Sequence, residues 1–199
     1  MKRTGRALLT ALLCLLFTAG CTQPTVPVFN PSLPLPEADY PLDLLFSSGA
    51  GAWGTRLTLH ADGSFSGLYH DSDMGDGGPG YPNGTAYTCS FAGSFLTSEP
   101  LDEFSYRLYL SPPTLSRPAG EEWVENGIRY FSTGPHGLED SLVFVLYTPG
   151  TPVEGLDEEF LSWWPGRFAD DPPKALDCYA LWNVETGAGF FAYHPGTPN

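Results

Sequence analysis

From Trp53 onward the apolar residues of this chain recur at every second position, a pattern that restricts it to strands with one face buried. In "WGTRLTLHADGSFSGLY", Trp53, Leu57 and Leu59 alternate with Arg56, Thr58 and His60. Asp62-Gly63 follows, a pair suited to the positive φ angles of a tight hairpin turn. Phe65, Gly67 and Tyr69 then alternate with Ser64 and Ser66. In "TAYTCSFAGSF", Tyr87, Cys89, Phe91, Gly93 and Phe95 share one face, and Thr88, Ser90 and Ser94 share the other. Phe104, Tyr106, Leu108 and Leu110 repeat the pattern against Ser105, Arg107 and Tyr109. Further strands are predicted over 127–132, 142–147, 177–184 and 189–193, and the continuously apolar 142–147 suits a strand buried on both faces. One short helix fits near Asp157, which can cap it: Leu156, Phe160 and Trp164 fall at four-residue spacing and Pro165-Gly166 ends it. The fold expected is all-β, an antiparallel barrel or strongly curled sheet of about eight strands with one short helix.

The N-terminus carries an address. Lys2, Arg3 and Arg6 form a basic start, Ala7 to Phe17 an apolar run, and Thr18-Ala19-Gly20 a stretch of small residues. The apolar run is shorter than the roughly 20 residues that span a bilayer core, so 1–20 reads as a cleaved export signal. Cys21 follows at once. Small residues directly before a cysteine resemble the lipobox of bacterial lipoproteins. The resemblance implies cleavage before Cys21, acylation of Cys21 with palmitate-type chains, and a chain held by that lipid on the exported face of a cell membrane. Residues 22–41 contain six prolines, which favour extended polyproline geometry at about 3 Å per residue. The segment 21–41 is therefore expected to be a tether, and 42–199 a single β domain long enough for its own core.

Charge narrows the partners. The chain has 9 basic and 23 acidic residues, and a signal holding three of the basic ones leaves six against 23, a formal net charge of −17. Such a surface repels phosphate backbones, which excludes nucleic acid as a partner. It also lacks the basic patch that would attract anionic headgroups, so attachment to a membrane is expected to come from the lipid alone.

Gly51-Ala52-Trp53 resembles the Gly-x-Trp that opens lipocalins and other calycins. The run "LTLHADGSFSGLY" is similar to the Asp-Gly hairpin of small calycin-like bacterial lipoproteins. The resemblance covers only the start of the barrel. It implies a calycin-like barrel with Trp53 entering its first strand, and it carries no activity.

Cys14 is lost with the signal and Cys21 is used by the lipid, which leaves Cys89 and Cys178 on predicted inward faces. Export permits a disulfide between them, stabilising by up to ~4 kcal/mol in the chain-entropy model. Two buried thiols packing as small hydrophobes is the alternative, and sequence leaves the choice open.

The stretch "HDSDMGDGGPG" gathers Asp71, Asp73 and Asp76 among glycines. Calcium takes several oxygens on a bent loop, so these three are candidate ligands of an irregular site. An EF-hand is excluded, because the twelfth position counted from Asp71 is Pro82 rather than glutamate. The simpler reading is a solvated hairpin tip in which the glycines supply the turns.

Other chemistry is sparse. His60, His70, His136 and His194 have no metal-ligand spacing, and there is no Gly-x-Ser-x-Gly elbow. The pairs Glu121/Glu122 and Glu158/Glu159 follow from the general acidity. No enzyme and no cofactor are expected. Trp123, Trp163, Trp164 and Trp182 are candidate rim aromatics for a small apolar or sugar ligand, with core filling as their competing use. The expectation is a non-catalytic, lipid-anchored binding module, or alternatively a structural accessory of the cell envelope. An open barrel interior would favour the first, a filled one the second, and a buried cluster of converging polar groups would favour an enzyme.

Overall fold

The structure, a computed structural model, describes residues 35–38, 40–49 and 51–192. The signal, Cys21, most of the tether, Tyr193 and His194 lie outside the described residues. Among the described residues eleven strands and one α-helix form: β1 (Leu42–Ser47), β2 (Gly54–Leu59), β3 (Ser64–Asp73), β4 (Thr85–Pro100), β5 (Ser105–Leu110), β6 (Thr114–Leu115), β7 (Glu122–Glu125), β8 (Ile128–Ser132), β9 (Val143–Tyr147), α1 (Glu158–Ser162), β10 (Ala180–Asn183) and β11 (Gly189–Ala192). Among the described residues no helix is long and apolar enough to cross a membrane.

Eight strands close a barrel. β1 to β5 pair in chain order, then β9, β10 and β11, each antiparallel to the next, and β11 returns to β1. This is an up-and-down antiparallel barrel, an arrangement that removes free sheet edges by closure. The expected fold class is the observed one. The strand roster differs at β1, β6 and β7, which the sequence reading does not predict, and at β8, which lies outside the barrel. β1 precedes Trp53, so Gly51-Ala52-Trp53 leads into the second barrel strand rather than the first. The expected strand at 127–132 is β8, which pairs parallel to β4 and antiparallel to β7 outside the barrel.

The alternation translates into packing. Leu42, Leu44 and Phe46 on β1, Leu57 and Leu59 on β2, and Leu108 and Leu110 on β5 join one buried core. Phe144 and Leu146 on β9, Leu181 on β10 and Phe190 on β11 complete it. On β3 and β4 the register sets Phe65 opposite Gly93 and Gly67 opposite Phe91. A Cβ at Gly67 would fall 2.2 Å from the Phe91 ring, and one at Gly93 would fall 2.6 Å from the Phe65 ring. Each phenylalanine therefore lies over the glycine facing it. That reciprocal pair is the physical meaning of the two Phe-x-Gly steps in the sequence.

A second layer covers the outside of the wall. Residues 148–179 leave the barrel between β9 and β10, and Phe160, Trp164 and Leu176 pack on Val145, Tyr147, Ala180 and Phe191. Asp157 caps α1 as expected, its carboxylate accepting from the Phe160 backbone N–H at 2.9 Å. β9 is consequently buried on both faces, the reason its sequence is continuously apolar.

This layer corrects the inward face expected for Cys178 and bears on the pairing left open by the sequence. Cys89 and Cys178 are both free thiols. Cys89 faces the barrel core, whereas Cys178 joins the outer layer. The strand expected over 177–184 begins only at Ala180, so Cys178 lies in the bend before β10, packed with Trp182 and the other outer-layer residues. Because both faces of β10 are buried, alternation alone cannot tell the axis from the outer layer. The barrel wall separates the two sulfurs.

Candidate functional site

At one end of the barrel the residues between β8 and β9 fold across the opening as a strap. Two fully buried polar side chains fasten it. The Thr55 hydroxyl on β2 donates to the His136 carbonyl at 2.7 Å, and the Asn183 amide on β10 donates to the Gly137 carbonyl at 2.9 Å. The Asn183 side-chain oxygen accepts from the backbone N–H groups of Glu185 and Thr186. Gly137 adopts a φ of +90°, and a Cβ there would meet Phe46 at 2.7 Å and Phe190 at 2.8 Å. Left-handed backbone and close packing together require glycine at this point. Leu138, 2% exposed, plugs the end of the core.

His136 is wedged among rings. Its centroid lies 5.0 Å from Trp53, 5.3 Å from Tyr69 and 5.4 Å from Phe46. Its Nδ1 lies 2.7 Å from Glu139 Oε1. Burial pushes the Glu139 carboxyl up, but the His136 hydrogen bond, local backbone N–H groups and the His136 charge outweigh it and hold the carboxyl below its usual range. The second oxygen, Glu139 Oε2, is shielded from solvent without a hydrogen-bond partner. Burial, aided by the charges of Asp71 and Glu139, pushes the Tyr69 phenol to about 12. Burial and then Glu139 push the Cys89 thiol to about 11. A thiol raised that far is neutral near pH 7 and is a poor nucleophile.

On its outer side the strap borders an open groove of about 490 Å³. Buried Leu110 and Leu138 line it, with Pro112, Pro113 and Leu115 from the segment after β5 and Leu142, 64% exposed, from the strap's end. Glu139 and Asp140 also border it, but its lining is almost wholly apolar and the Glu139 oxygens are turned away, one to His136 and the other shielded from solvent.

The expected site residues are placed separately. β3 runs through Asp73, so Asp71 and Asp73 lie in a paired strand. Asp71 accepts from the Ser72 N–H, Asp73 accepts from the Gly75 N–H, and Asp76 pairs with Arg129 while accepting from the Thr85 hydroxyl. Among the described residues no three His, Cys, Asp or Glu side chains are gathered as a metal ion would require. The tryptophans do not share a rim. Trp164 and Trp182 belong to the outer layer, Trp163 meets Phe46 at 4.8 Å, and Trp123 stacks on Tyr130 at 5.1 Å under the Arg117 guanidinium. Thr55, Asn183 and Glu139 were not singled out by sequence. The only signal was the run Gly134-Pro135-His136-Gly137, whose turn residues frame a histidine three positions before a glutamate. Comparison with protein-family models, curated proteins and solved structures finds no match to this chain.

Proposed function

We propose that the chain is a lipid-anchored module on the exported face of a cell membrane, working without catalysis through contacts made at its surface. The filled barrel axis bears on this reading in one way only: it argues against an interior ligand. On the criterion set by the sequence, that favours the envelope accessory over an interior binder and leaves the outer surface as the place for any recognition. Leu57, Leu59, Leu108, Phe144, Leu146, Leu181 and Phe190 are all 0% exposed, which leaves recognition to the outside of the wall. The small-residue stretch before Cys21 supports the anchor, and the neutral, buried thiol of Cys89 supports a non-catalytic role. A structural envelope accessory is the second reading, favoured by the same filled axis. The two differ in whether the surface groove takes a ligand.

The test is to extract the purified chain with organic solvent and titrate it with cis-parinaric acid, an apolar probe of interior sites. The expected result is neither a non-covalently held lipid nor stoichiometric uptake. Uptake displaced by an ordinary fatty acid would make the barrel a carrier and overturn the proposal.

A further inference from the structure

The two ends of the barrel are built differently. The strap end carries the additions: β3 and β4 continue there past the last β2 pair, Gly54 with His70, to Asp73 and Thr85, and β8 and β7 pair beside them. The opposite end is finished by two short connections, residues 60–63 and 101–104, and by the chain that enters β1. The outer layer also leaves from this end, but Trp163 within it reaches Phe46 beside the strap. The entering chain is docked. Leu35, Ala38 and Tyr40 pack on the barrel core, and Pro36 is buried. The Tyr40 hydroxyl donates to the Pro36 carbonyl at 3.0 Å, and the Tyr179 hydroxyl, just before β10, donates to the Glu37 carbonyl at 3.0 Å. Burial, then the nearby phenols of Tyr179 and Tyr106, push the Tyr40 phenol up, so the three rings gather at this one end.

We infer that this tyrosine clasp mounts the barrel, so that the bilayer holding Cys21 lies on the side of Tyr40 and the strap end is the face turned away from it. The inference rests on the lipid-anchored reading and adds which face of the domain meets the membrane. Between Cys21 and the clasp lie only residues 22–34, four of them proline. Fully extended at ~3.3–3.6 Å per residue, they give the docked end a reach of roughly 50 Å from the anchor. With the strap end toward the bilayer, the tether has to run back along the wall, roughly 20 Å for a six-residue strand. That posture costs it conformational freedom that the opposite posture keeps. The groove and the β7–β8 hairpin, both at the strap end, are then the parts of the domain standing farthest from the membrane.

The experiment couples Cys21 of the mature chain to a maleimide lipid in phosphatidylcholine nanodiscs, which supplies the anchor whether or not the cell acylates that residue. Burial pushes the Cys89 thiol to about 11 and the Cys178 thiol to about 12, so both are protonated at neutral pH and Cys21 reacts first. A gadolinium-chelating lipid then broadens backbone amide NMR signals according to their closeness to the bilayer. Gly63 and Asp102 should be broadened several-fold more than Gly127 and Gly187. Tyr40→Phe combined with Tyr179→Phe removes both clasp donors and keeps the rings, and the same spectrum shows that the variant is folded. Its tether is longer, so the contrast between the two ends should shrink. A glutamate-specific protease reads the clasp without a membrane. It should cut after Glu37 roughly 5- to 30-fold faster in the double variant, as loss of two ordinary hydrogen bonds allows. Equal broadening at both ends, stronger broadening at the strap end, or contrast and cleavage unchanged in the double variant would each overturn the inference. Absence of acylation in the native protein, read separately by fractionation, would contradict the proposed function without altering any of these results.

Discussion

Gly67 and Gly93 show how a single absent side chain fixes the packing of a strand pair. Phe91 and Phe65 occupy the space above them, so neither position accepts a Cβ without displacing a ring. At Gly67 the Arg56 carbonyl also lies 2.6 Å from where a Cβ would sit, and that backbone cannot rotate away. Gly67→Ala should therefore lower stability by roughly 1–3 kcal/mol, the usual range for overpacking, measured by urea denaturation. An unchanged midpoint would show that the strands adjust freely. The strap has its own residue-scale test. Because the Glu139 carboxyl is held below its ordinary value of 4.5, its contribution is fully present above that pH and is lost as pH falls through the lower folded value. Melting curves against pH should show an acid-side loss for the native chain that is smaller in Glu139→Gln. Parallel curves would remove Glu139 from the account of strap stability.

Elements were legible where one face meets water and the other the core. β2, β3, β4 and β5 follow their alternation closely, and the α1 cap was readable from Asp157. β1 escapes a reading by pattern although Leu42, Leu44 and Phe46 alternate, because it follows directly on a proline-rich segment and reads as its continuation. β8 reads like a barrel strand because a half-buried strand has the same period wherever its sheet edge lies. Asn126-Gly127, with φ of 51° and 75°, makes the two-residue turn of the β7–β8 hairpin, a signal present in the sequence as Asn-Gly. The strap had no period to read. Its place depends on Thr55 and Asn183, far away in sequence, and only the closed barrel brings them to it. Two predictions belong to this scale. Asp157→Ala should destabilise by about 1 kcal/mol through loss of the α1 cap, with thermal melting as the readout. Alkylation of the unfolded, unreduced chain followed by peptide mass mapping should label both Cys89 and Cys178, and a Cys89–Cys178 disulfide peptide would refute the separation of the two thiols by the barrel wall.

At the scale of the whole molecule, a filled eight-stranded barrel is joined to a strongly acidic surface and a proline-rich N-terminal segment. The packed core leaves the outside of the wall as the place for the recognition proposed above, an arrangement compatible with the proposed lipid anchor. The net charge is −14 for the full chain and would be −17 with residues 1–20 removed, so electrostatic attraction to anionic lipid could not substitute for the proposed anchor. Everything proposed about where the protein works thus converges on Cys21. The most direct measurement is membrane fractionation of the native chain beside Cys21→Ala, with intact mass analysis of the N-terminal peptide. The native chain should sediment with membranes and begin at an acylated Cys21, while the variant should be released into the soluble fraction or retain its signal. Native protein in the soluble fraction with an unmodified Cys21 would contradict the account.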